Sequence, residues 1–151
     1  MTDLLYFDDF SEGQSFALRP YVVTKEEIIE FAGKDDPQEF HLDEAAGAKS
    51  FLGGLCASGW QTGAITHRLN CEAFFLKVHS LGGMGADNMR WVKPVFPGDQ
   101  LTGTTTILEL RPSNSRPTIG LVHLLTETFN QKGELVFEMK AWCILARRPA
   151  A

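Results

Sequence analysis

Residues 58–71 read Ser58-Gly59-Trp60-Gln61-Thr62-Gly63-Ala64-Ile65-Thr66-His67-Arg68-Leu69-Asn70-Cys71, and the folding of this stretch decides the architecture. Ser58 suits a helix N-cap, because its hydroxyl can accept from an amide N–H left free in the first turn. Trp60, Ala64, Ile65 and Leu69 follow at helical spacing and predict one buried face. This is the only long helix that the pattern offers, and the period changes after it. Met89 to Val95, Leu101 to Leu110, Ile119 to Phe129 and Leu135 to Leu145 are extended runs broken by turn residues. Asn130-Gln131-Lys132-Gly133 joins the last two as a hairpin, and Pro112 to Pro117 makes a longer connection. Four long strands after one buried helix predict an α+β fold, an antiparallel sheet curled around a helix.

Upstream, Ser15 to Leu18 and Tyr21 to Val23 are strand-forming and flank Arg19-Pro20. Thr24 caps a helix whose first turn is acidic and whose apolar stripe, Ile28, Ile29, Phe31 and Ala32, ends at Gly33. Lys34 to His41 reads as a loop, Asp43 to Lys49 as a short helix, and Ser50 to Ala57 as a second loop carrying Gly53-Gly54. No repeat or linker divides the chain, so residues 1–151 are expected to form a single domain.

Composition narrows the classes of function. A hydrophobic content of 44%, with 11 Phe and 3 Trp, supports a core without disulfide or metal support. A formal net charge of −5, with no basic cluster beyond Arg147-Arg148, argues against a nucleic-acid partner. No apolar run approaches membrane-spanning length and the N-terminus is acidic, so a cytoplasmic protein without membrane attachment is expected. The three cysteines, Cys56, Cys71 and Cys143, lie far apart among apolar neighbours and read as buried free thiols. His67, His79 and His123 fall on different elements without metal-ligand spacing, so no metal is expected, and His67 reads as a packing residue of the long helix. Gly82-Gly83-Met84-Gly85 lacks the Lys and following helix of a phosphate loop and reads as a strand entry.

The segment with chemistry is Asp36-Pro37-Gln38-Glu39-Phe40-His41-Leu42-Asp43. It places a carboxylate and an imidazole on one loop between two helices, an arrangement able to aim both at one water. An Asp in a Pro-containing loop is also a common turn or cap residue, and a single His is commonly a satisfied side chain. Spacing alone leaves both readings open. Pro97-Gly98-Asp99 is a strand-ending turn without chemistry.

In order and spacing these features resemble the MaoC-like dehydratase and R-specific enoyl-CoA hydratase family, which has the hotdog fold. The resemblance is carried by Thr24 to Glu27, Asp36 to His41, Gly53-Gly54 ahead of Ala57-Ser58-Gly59, and Lys93-Pro94-Val95-Phe96-Pro97-Gly98-Asp99, and covers roughly Asp8 to Leu145. It implies that Asp36 and His41 are the catalytic pair and that the backbone N–H of Gly59 holds a thioester carbonyl oxygen. A helix N-terminus suits that task independently, since its free N–H groups and positive dipole end stabilise an enolate. Ser58, Trp60 and Phe40 are then expected to contact substrate, with Phe40 turned away from the water into the apolar base of the site. Phe51, Trp60 and Phe74 are expected to narrow the cavity toward short or branched acyl groups. Coenzyme A enters as part of an acyl-CoA substrate, no separate cofactor is implied, and a homodimer or higher homo-oligomer is expected. Gln38 stands where the family carries Asn, and Pro37 comes directly after Asp36, a departure that bears on water geometry. Two other readings remain, a hotdog thioesterase and a non-catalytic acyl-thioester-binding protein. The first usually needs a carboxylate on the central helix, and residues 58–70 contain none.

Overall fold

A computed structural model describes residues 3–151. Strand β1 (Ser15–Val22) leads into helix α1 (Lys25–Asp35), the short helix α2 (Glu44–Lys49) and the long helix α3 (Gly59–Ala73). Strands β2 (Ser80–Trp91), β3 (Gln100–Pro112), β4 (Ile119–Phe129) and β5 (Leu135–Ala146) complete one five-stranded antiparallel sheet in the order β1-β3-β4-β5-β2. The α+β architecture expected from the chain is the one observed, with β1 and β2 as open edges. No helix among the described residues is long and apolar enough to cross a membrane.

The sheet wraps α3 so fully that the helix touches every strand. Arg19 of β1 pairs with Glu72, Thr105 of β3 and Thr126 of β4 bond Asn70, Phe137 of β5 lies against Gly63, and Trp91 of β2 bonds Gly59. Two apolar clusters fill the space between. One gathers Ile65 and Leu69 with Val23, Ile28, Leu101 and Phe137. The other joins the N-terminal Phe7 and Phe10 to Phe74, Ile107, Val122 and Leu145. An interior of this kind contributes roughly 25 cal/mol per Å² of apolar surface removed from water.

Three expectations are corrected. The buried face of α3 is rotated: Trp60 and Ala64 are exposed, and Gln61, Thr62, Thr66 and Asn70 go inward beside Ile65 and Leu69. The sheet makes this possible, because its inner face presents hydroxyls. Thr66 meets Thr128 at 2.9 Å, Asn70 accepts from Thr105 at 2.6 Å and donates to Thr126 at 3.0 Å. Buried polar groups paired in this way avoid the cost of desolvation without a partner. Strand β2 begins at Ser80, not Met89, and stops at Trp91, short of Val95. It absorbs the glycine-rich run because Gly82 and Gly85, at φ +123° and +124°, take the register shifts in its ladder with β5. Cys71 is only half-buried, while Cys56 and Cys143 are buried as expected.

Candidate active site

The loop after α1 folds back through a 3-10 turn at Glu39–His41. Asp36 closes α1, its backbone N–H donating to Ala32 O at 3.0 Å. The turn returns His41 so that Nε2 lies 3.4 Å from Asp36 Oδ2. The second contributor is the segment that runs into the N-terminus of α3. Gly47 of α2 packs directly on the backbone of Gly54 and Leu55, a contact no larger residue permits, and so seats the next residue, Cys56, beside His41. Cys56 O then lies 2.6 Å from His41 Nδ1. A carbonyl can only accept, so Nδ1 carries the proton and the lone pair of neutral His41 is on Nε2, facing Asp36.

Asp36 is held on both oxygens. Ser58 Oγ donates to Oδ2 at 2.7 Å and Gln38 Nε2 donates to Oδ1 at 2.7 Å. Burial pushes its carboxyl up, but the lowering effects, chiefly the hydrogen bonds from Ser58 and Gln38, outweigh this and hold it below the ordinary aspartate value. Asp36 is therefore an anion at neutral pH. Ser58 also caps α3, its hydroxyl accepting from Trp60 N–H at 3.2 Å. Gly59 N–H, next in line, donates to no protein group among the described residues.

These groups border a cavity of about 420 Å³, lined by Asp36, Gln38, His41, Gly59, Thr62 and Trp91 among others, with Phe51, Trp60 and Lys93 also contributing. Asp36, His41, Gly59 and Trp60 are thus brought together, and Ser58 acts on them from behind. Phe40 is not among the lining residues. Its ring packs edge-on to the His41 imidazole at 4.6 Å. Phe74 is also absent from the site, being buried in the core against Phe10 and Phe16. Among the described residues no group of three His, Cys, Asp or Glu side chains is placed to hold a metal ion.

Two participants escaped the sequence reading. Gln38 reads in the sequence only as a departure from a motif, yet its Nε2 is a direct donor to Asp36. Trp91 carried no signal at all. Its indole N–H donates to Gly59 O at 2.6 Å and its ring meets Trp60 edge-on at 5.2 Å, contacts that exist only because β2 passes the start of α3.

Comparison with known proteins places the chain in a family and a fold. The family model described as "MaoC like domain" matches residues 9–123. An uncharacterized protein of Bacillus subtilis, YdeM, is 36% identical over 140 residues, spanning 93% of this chain and 98% of its own. The mesaconyl-CoA hydratase of Cereibacter sphaeroides is 34% identical over 76 residues, which is 50% of this chain but 22% of that protein. Among solved structures, a MaoC-like dehydratase from Rhodospirillum rubrum superposes with a TM-score of 0.87 at 39% identity, covering 97% of this chain and 99% of its own. A Mycobacterium tuberculosis protein with a double hotdog fold, Rv0216, matches with a TM-score of 0.77 at 20% identity, covering 98% of this chain and 46% of that one, a likeness of fold alone.

Proposed function

Because the chain belongs to the MaoC-like family, a hydratase and dehydratase family with the hotdog fold, we propose that it adds water to, or removes it from, an α,β-unsaturated acyl-CoA thioester with a short or branched acyl chain. The observation that carries this reading is that Asp36, His41 and Gly59, the first residue of α3, border one cavity.

In the hydration direction, a water seated between Asp36 and His41 Nε2 gives a proton to Nε2 while its oxygen bonds to Cβ of the substrate. The C=C electron pair moves toward the thioester carbonyl, whose oxygen becomes an enolate accepting from Gly59 N–H. The enolate collapses as His41 returns the proton to Cα, so one water is consumed and both catalytic groups are restored. Asp36, anionic throughout, orients the water and stabilises the imidazolium. Dehydration is the reverse. Burial of the pair, with Cys56 O fixing the tautomer, keeps Nε2 and not Nδ1 as the base.

The assay is loss of the conjugated enone on crotonyl-CoA, with a panel of unsaturated CoA esters including mesaconyl-CoA, the acyl group that the Cereibacter sphaeroides relative is named for. Hydration of at least one short or branched member supports the reading. Release of free coenzyme A without hydration would instead favour a thioesterase, against which stands the absence of any acidic residue in the first turn of α3.

Homodimerisation goes with this reading. Trp60, Ala64 and His67 leave one side of α3 exposed, and the adjacent β2 edge carries exposed Leu81 and Met84. A second copy would cover both and bring the open edge into a ladder. A monomer by sedimentation at micromolar concentration would contradict it.

A further inference from the structure

Beneath α3 lies a second cavity of about 540 Å³ that the hydration chemistry leaves unused. It is lined by Asn70 and Cys71 from the far half of the helix, by Met139 and Ala141 of β5, and by Gly83 and Gly85 of β2, where missing side chains leave the space open. The catalytic cavity sits at the near end of the same helix, at Gly59 and Thr62, and has Trp91 as a wall.

The side chains under α3 follow one another in ladder order. Trp91 pairs with Phe137, then Met89 with Met139, then Ala86 with Ala141, then Gly83 with Cys143. Trp91 belongs to the first cavity; Met139, Ala141 and Cys143 belong to the second. Phe137 lies in the step between them. It is fully buried, its ring centroid 6.3 Å from that of Trp91. On the helix side, a Cβ built on Gly63 would stand 3.7 Å from its Cζ, so the ring reaches the helix backbone with no side chain between. Gly63 itself falls between Thr62 of the first cavity and Asn70 of the second.

We propose that Phe137 is the stop that ends the acyl pocket, and that the cavity beyond it is the space a longer straight acyl chain would take once the ring is removed. The proposal rests on the hydratase reading and deepens it by naming the residue that sets acyl length. In the wild type, methylenes beyond about six carbons meet the Phe137 ring and lose the roughly fourfold gain in binding that each buried methylene contributes. Without the ring, the same methylenes pass beneath Gly63 into a chamber walled by Met139 and Ala141.

The experiment uses the full chain with Phe137→Ala, and Phe137→Leu as the milder variant if alanine lowers stability too far, since Phe→Ala in a core is costly. Turnover is measured on trans-2-enoyl-CoA esters from four to ten carbons, and binding of saturated butyryl-CoA and octanoyl-CoA is measured by calorimetry. The expected result is a rise of at least about tenfold in the preference for eight carbons over four, in kcat/KM and in binding, in line with two or more newly buried methylenes. Adding Ala141→Phe, which fills the far cavity, should abolish that gain and return the eight-to-four preference toward the wild-type ratio. A folded Phe137 variant with an unchanged chain-length profile overturns the proposal and leaves the hydratase reading standing. A wild type that binds these thioesters and hydrates none overturns the hydratase reading, and octanoyl-CoA binding to the variant then still decides whether Phe137 is the stop.

Discussion

The indole of Trp91 lies directly over the Cα of Gly59: a Cβ at residue 59 would stand 2.6 Å from Nε1 and 2.7 Å from Cε2. Trp91 Nε1–H also donates to Gly59 O at 2.6 Å. Glycine is thus required at the start of α3 by an edge-strand tryptophan, whether or not a ligand also needs the room. The same contact fixes the backbone of Gly59, whose N–H the proposed mechanism uses. Gly59→Ala should push the indole aside, lowering stability by about 1–3 kcal/mol as overpacking does and lowering kcat with it. Trp91→Phe keeps an aromatic ring but loses the hydrogen bond, for about 1 kcal/mol, together with the pyrrole contact on Gly59. Urea denaturation of both variants, set beside kcat, tests this, and an alanine variant with wild-type midpoint and turnover would contradict the packing claim.

Asp36 and His41 are expected to act as a unit. Asp36→Asn or His41→Ala should each lower kcat by at least about a hundredfold with the fold intact. Near-normal turnover in a folded His41→Ala protein would remove that residue from the mechanism.

The pH dependence follows from the sign of the Asp36 shift. Its carboxyl is held below the ordinary aspartate value in the folded protein, so its contribution to stability is fully present above the unfolded value and is lost as pH falls through the lower, folded one. Ser58→Ala removes a donor from Oδ2 and should move the Asp36 titration upward toward the ordinary value, a change readable by carboxyl carbon NMR. It also removes the α3 cap, at about 1 kcal/mol. A downward or absent movement of the Asp36 titration would mean that the Ser58 hydroxyl does not stabilise the anion.

The hydroxyl pairs beneath α3 should be costly to disturb. Asn70→Ala leaves Thr105 and Thr126 with each other at 3.0 Å but without the amide that both bond. A loss of about 1–3 kcal/mol is expected for such a deletion, measured by urea denaturation. A variant as stable as the wild type would show that water or rearrangement replaces the amide at no cost.

Two thiols should be silent in the native protein. Burial pushes Cys56 up to about 11, with the Asp36 charge adding to it, and pushes Cys143 up to about 12. At pH 8 neither should react with a disulfide reagent until denaturant is added, because the thiolate is the nucleophile and both groups stay protonated and enclosed. Rapid modification of Cys56 by mass spectrometry under native conditions would show that the wall behind His41 opens.

Much of this molecule was legible in the chain. Periodicity marked α3 and the four later strands, because a helix and a strand place their side chains at different repeats. Ser58 and Thr24 announced two caps, because capping is local and depends on a hydroxyl within three residues of its amide. Asp36 and His41 stood out because their loop is short and its order resembles a known family. The tertiary structure alone decided which face of α3 is buried. Hydrophobicity favoured Trp60 and Ala64, but the inward-facing threonines of β3 and β4 made Thr66 and Asn70 the better partners. It alone placed Phe40 against His41, Phe74 in the core and Trp91 on Gly59, since these contacts join segments that meet only when the sheet closes around the helix. Local pattern reports which elements form, because it arises from bonds within a turn or along a strand. Which side chains share a cavity depends on strand register and helix rotation, and those are set by packing across the whole sheet.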